Sequence, residues 1–213
     1  MKKIVVLLAV TVLSTVIFAQ SEKYTKAMES NIAMLDSAMV KGNLAELSNA
    51  FERIGDAEKT QWLPYYYASY CTVMSSYMEK DKSKTDGIAD KGEELIKKAE
   101  ALAGKENSEI CVIKSMIASS HMMVDPQSRY QQYGAASASN ITKAKSLDPT
   151  NPRPVYLEGQ AKFYTPEAFG GGKAPAKELL TKALKMFDTS KPETSLHPAW
   201  GKASTMYFLA QCN

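Results

Sequence analysis

The 213 residues are enough for one domain of ordinary size with a real core, and 45% of them are apolar. The net charge is +3, and loss of Lys2 and Lys3 with a leader leaves +1. So small a charge gives no argument for nucleic-acid binding, which calls for a clustered basic face, and no nucleic-acid partner is expected.

The chain opens as a secretory signal. Lys2 and Lys3 form a positive start, 4–18 is mostly apolar, and Ala19 is a small residue suited to cleavage before Gln20. The apolar run is short and broken by Thr11, Ser14 and Thr15, so no membrane span is expected after cleavage. No cysteine stands at the cleavage point, so no lipid anchor is expected either. The expected division is a signal peptide over 1–19 and one helical domain over 20–213.

From there on, apolar residues recur at helical spacing and no useful strand alternation appears. The pattern predicts nine helices, the first over 24–40 and the second over 44–54, with Asn43 as an N-cap. The third, over 63–78, opens with Pro64, which a first turn tolerates. A polar loop over 80–85 precedes the fourth helix, 86–103, which Gly104 ends. The fifth covers 108–123, the sixth 127–147, stopped by Pro149, and the seventh 153–164. A loop rich in glycine, Thr165-Pro166-Glu167-Ala168-Phe169-Gly170-Gly171-Gly172, leads to the eighth, 174–187. The ninth covers 198–210.

Four of these helices carry one device. Asn43-Leu47-Ala50, Gly92-Ile96-Ala99, Ser137-Ile141-Ala144 and Ala176-Leu180-Ala183 place small, large and small residues at offsets 0, 4 and 7. With 3.6 residues per turn these fall on one face, where the small residues admit a neighbouring helix and the large one fills the gap. Trp200, Ala203, Ser204 and Tyr207 suit the complementary first helix of a pair. The pattern resembles the tetratricopeptide repeat, although the alanines lie 49, 45 and 39 residues apart rather than evenly spaced. The resemblance implies an all-α, tetratricopeptide-like (TPR-like) helical-repeat array, an alpha-alpha superhelix of about four helix pairs plus a terminal helix. The loop from Tyr164 to Gly172 is similar to one in exported TPR-like bacterial proteins. The Phe18-Ala19-Gln20 ending is similar to signal peptides of the Bacteroidota, which implies a periplasmic or secreted protein.

Chemistry-bearing motifs are sparse. No nucleophile has a recognisable setting, and Glu93 and Glu94 sit beside Lys97 and Lys98 on a solvated face, so no catalytic residue and no enzyme is expected. His121 and His197 lack ligand partners at helical spacing, so neither a metal site nor a cofactor is expected. The glycine run before Lys173 reads as a connecting turn, with anion binding at the helix start as the alternative. Phe169 is expected to tuck under that loop. Among the tyrosines, Tyr66 and Tyr70 suit the core and Tyr65 an exposed binding position. Cys71, Cys111 and Cys212 read as buried thiols, with contact between Cys71 and Cys111 left open.

These observations favour a non-catalytic scaffold that holds a protein or peptide partner on a concave helical surface. The alternative is a small-molecule carrier with its ligand between the third, fifth and seventh helices, near Tyr65 and Tyr164. The candidate binding residues are Tyr65, Tyr164, Phe169 and Lys173.

Overall fold

The computed structural model describes residues 22–213. The expected leader and its cleavage point lie outside the described residues. Helix follows helix: α1 (22–32), α2 (Leu35–Lys41), α3 (Leu44–Glu58), α4 (Leu63–Met78), α5 (Lys82–Ala103) and α6 (Ser108–Val124). A short α7 (Pro126–Arg129) and a π-helical turn (Tyr130–Gly134) lead into α8 (Ala135–Leu147). Then come α9 (Pro152–Tyr164), α10 (Lys173–Thr189) and α11 (Lys202–Gln211). No strand occurs among the described residues.

Sequential helices pack as pairs, α4 with α5, α6 with α8, and α9 with α10, while α3 leans on α4 and α11 on α10. The small–large–small faces are the seams. Ile96, Ala99, Ala144, Ala176, Leu180 and Ala183 are fully buried. The small positions are required: a Cβ on Gly92 would stand 3.0 Å from Val73, and Ser69 donates a hydrogen bond to the Gly92 carbonyl at 2.7 Å. On α9, a Cβ on Gly159 would stand 2.9 Å from the Leu180 side chain of the partner helix. The first of the four patterns is weaker, since Asn43 is exposed and caps nothing with its side chain.

Several boundaries differ from the periodic reading, each for a local reason. The expected first helix breaks at 33–34, where Met34 N–H turns back to the Asn31 carbonyl at 3.1 Å. The polar stretch 80–85 is mostly helix, because Asp81 caps α5 by accepting from Ser83 N–H at 3.1 Å. The ninth helix starts at Lys202 rather than Pro198, after Gly201 at φ 113°, and the residues before it form an irregular strap with a turn at 194–197. All three cysteines are buried free thiols, and burial pushes Cys111 up to about 12.

Candidate functional site

The strap 190–201 decides which surfaces remain open. It lies on the N-terminal halves of α4 and α9, helices of the face expected to hold a peptide. Tyr67 OH donates to the Leu196 carbonyl at 2.9 Å, and Trp200 stacks on Tyr70 with ring centroids 4.6 Å apart. Trp200 Nε1–H donates to Tyr66 OH at 3.0 Å, and Tyr66 OH donates to Glu109 at 2.8 Å. Arg153, only 5% exposed, donates to the Pro198 carbonyl and lies over the Trp200 ring at 5.5 Å. Glu109 also accepts from Asn151 at 2.6 Å and lies 3.3 Å from Arg153 Nε. One buried polar network therefore locks α4, α6, α9 and the strap together. Burial first, and Glu109 second, push the Tyr66 phenol well up, so it stays a donor.

Beside the strap is an open cleft of about 400 Å³, with Trp62, Leu147, Pro192 and His197 on its walls and Asn151 and Arg153 on its floor. The floor groups already bond one another, Asn151 Oδ1 accepting from Arg153 N–H at 3.0 Å and from Arg153 Nη1 at 3.3 Å. At its edge, Lys143 first and Lys114 second hold the Glu106 carboxyl down from 4.5 to about 2. The native state therefore binds fewer protons than the unfolded chain between those values. The stabilisation is complete above about pH 4.5 and is lost as pH falls towards about 2. Glu52 and Asp86 are also lowered, by lysines and by Arg129 respectively, and act in the same direction. Melting temperatures recorded across that window should fall with acid, and Glu106→Gln should flatten part of the slope. Identical slopes for both proteins would refute the assignment to Glu106.

A different surface is left uncovered where α9 ends and α11 runs past it. Tyr164 is 70% exposed and Tyr207 62% exposed, with Met206 also open to solvent. Phe208 lies beneath, its centroid 5.8 Å from Tyr164, 5.5 Å from Phe163 and 5.4 Å from Tyr207. The cluster continues inward, with Tyr156 6.4 Å from Phe208. Burial pushes Tyr156 up to about 12, with Tyr164 adding to the rise and Ser204 opposing it. Exposed aromatics gathered at one place are unusual on a lone chain and mark binding surfaces.

The glycine loop builds this end. Gly171 N–H bonds the Pro166 carbonyl at 3.2 Å, Gly172 N–H bonds the Lys162 carbonyl at 2.9 Å, and Lys162 Nζ donates to the Gly170 carbonyl at 2.8 Å. A Cβ on Gly171 would stand 2.1 Å from the Thr165 carbonyl oxygen, so no side chain fits there. The loop is a folded connection, and it holds Phe169 outward at 78% exposure rather than tucked beneath it, which corrects the expectation.

Of the four candidate residues, Tyr164 and Phe169 stand at two points of this one short connection, and exposed Lys173 opens the helix after it. Tyr65 is elsewhere and is 7% exposed, against the expectation of an exposed residue. Its ring fills the space over Gly55, and its hydroxyl donates to Asp56 at 2.6 Å. Tyr207 and Phe208 were missed as a site. The repeat pattern reads Tyr207 as part of the first-helix signature and singles out no site there, while Thr205 and Phe208 are the residues α11 buries.

No family model matches the chain. Among curated proteins, no match is found. Among solved structures, the chain is similar to the HusA haemophore from Porphyromonas gingivalis, at 33% identity and a TM-score of 0.79, over 89% of this chain and 92% of that one. The similar protein is named for carrying haem, which overturns the reading of this chain as a scaffold for a protein or peptide partner. In the structure the strap covers the α4 aromatics that such a partner would need, with Tyr67 bonded to Leu196 and Tyr70 stacked on Trp200. The chain is accordingly a non-catalytic binding protein. No helix among the described residues is long and apolar enough to cross a membrane. Likeness of this degree along nearly the whole length of both chains establishes kinship, and the chain belongs to the family of the Porphyromonas gingivalis haemophore.

Proposed function

We propose that this protein is an exported haem carrier. The observation that carries the reading is its 33% identity to the haemophore over 92% of that chain. The binding surface of the proposal is the aromatic end of α9 and α11. Haem is a flat apolar macrocycle with two carboxylates on one edge. Tyr164, Tyr207 and the underlying Phe208 offer ring faces and edges for stacking, and Phe169 stands on the adjoining loop. Lys162 and Lys173 flank the same connection and suit the carboxylates. Export rests on the leader over 1–19, with the mature chain starting at Gln20. The pairwise stacking through small–large–small faces supports a tetratricopeptide-like origin for the array.

Titration of the mature protein with haem, followed in the Soret band, tests this. Saturable binding is expected, and Tyr164→Ala combined with Tyr207→Ala should weaken it by on the order of tenfold or more. His197→Ala, in the separate cleft, should leave it unchanged. Absence of saturable binding would defeat the carrier reading. Weakening by His197→Ala but not by the tyrosine pair would move the site to the cleft.

A further inference from the structure

His121 has no ligand partner along its own helix, but α5 supplies two. Asp90 and Glu93, three residues apart on α5, each bring one carboxylate oxygen to the His121 ring, and the three ligand atoms lie within 4.8 Å of one another. The imidazole is held rigidly. His121 is 7% exposed, and Tyr133 stacks on its ring with centroids 4.9 Å apart. Its Nδ1 lies 2.7 Å from Asp86 Oδ1. With Nδ1–H donating to that carboxylate, the lone pair resides on Nε2. Nε2 lies 3.6 Å from Asp90 Oδ1, too far for a hydrogen bond. A carboxylate behind a histidine whose other nitrogen faces further ligands is the outer-shell arrangement of metal sites. Asp86 is committed to that outer role, because Arg129 Nη1 donates to the same oxygen at 2.7 Å and to the His121 carbonyl at 3.1 Å.

We propose that Asp90, Glu93 and His121 bind a divalent first-row transition metal such as Zn²⁺. One imidazole and two carboxylates fit the borderline cations, whereas Ca²⁺ and Mg²⁺ favour all-oxygen shells. Three protein ligands leave a position for water. Bonds of about 2 Å require the ligand atoms to close in from their present separation. The two carboxylates can do so, since their side chains are 67% and 45% exposed. Glu93 must release Lys97, now 2.6 Å away, and an exposed pair of that kind opens readily. The buried imidazole stays in place and sets the geometry. This site shares no residue with the aromatic end and does not depend on the haem reading.

The test is calorimetric titration of untagged protein with ZnCl₂, with Co²⁺ absorption as a report on coordination geometry. One Zn²⁺ per chain is expected. Asp86→Asn, behind the ligand, should weaken binding about tenfold, and Asp90→Asn or Glu93→Gln, at ligands themselves, by at least that much. Both ligand changes are at solvent-exposed carboxylates, so the melting temperature of the metal-free protein should not move, and lost binding cannot be ascribed to unfolding. No uptake at about 1 mM zinc would overturn the proposal. So would unchanged affinity in the Asp90→Asn/Glu93→Gln double variant.

Discussion

Arg153→Met destabilises the fold by about 3 kcal/mol, the low end of the range for breaking a buried ion pair, because it leaves the partly buried Glu109 charge at the edge of the cleft without its cation. Arg153 is 5% exposed, and the Glu109 side chain is 16% exposed. Methionine keeps much of the stem packing, so the loss reports on charge and hydrogen bonds rather than on volume. Three further contacts disappear with the guanidinium: the donations to the Pro198 carbonyl and to Asn151 Oδ1, and the seat over the Trp200 ring. Urea unfolding at neutral pH is the measurement. Adding Glu109→Gln to Arg153→Met should restore a substantial part of the stability, since the orphaned charge is then gone. A double variant no more stable than Arg153→Met alone would show that the pair is not the source of the loss.

Trp200→Ala is expected to cost about 3 kcal/mol, the low end of the range for a core aromatic, since Trp200 is half-buried. Trp200 joins three things that nothing else joins: the Tyr70 ring face, the Tyr66 hydroxyl and the Arg153 guanidinium. Losing it also leaves Tyr66 with one donor fewer, while Tyr66 itself is fully buried. The strap before α11 should then detach more often than the rest of the molecule. Limited proteolysis should cut within 188–201 in the variant at protease levels that spare the parent. Because Trp200 and Arg153 touch, their combined effect should fall short of the sum of the single ones. Equal resistance to proteolysis, with stability within about 1 kcal/mol of the parent, would show that the strap is held by other contacts.

The strap also explains why aromatics that suggest a partner surface in the sequence are not free to form one. The inner face of α4 carries Tyr66, Tyr67 and Tyr70, an aromatic supply that suits a protein interface as well as a core. Those side chains are satisfied from within, by Leu196 and Trp200, more than a hundred residues further along the chain. Nothing periodic marks the strap, with its Pro192, Pro198 and Gly201, as the element that would cover them.

What the sequence by itself determined is the helices and how they pair. Apolar spacing of 3.6 residues is a local property, and so is the small–large–small face that lets two neighbours approach. Gly92, Ile96 and Ala99, Ser137, Ile141 and Ala144, and Ala176, Leu180 and Ala183 stand at the seams where that pattern places them. Tertiary structure alone decided which aromatics stay in water. Tyr65 and Tyr164 look alike in sequence, yet Tyr65 fills the space over Gly55 while Tyr164 ends its helix with nothing laid upon it. It also decided the company of His121, since Asp90 and Glu93 reach it from another helix. Exposure and ligand geometry depend on contacts between residues distant in the chain, and those exist only once the helix pairs have stacked and the C-terminal strap has closed over them.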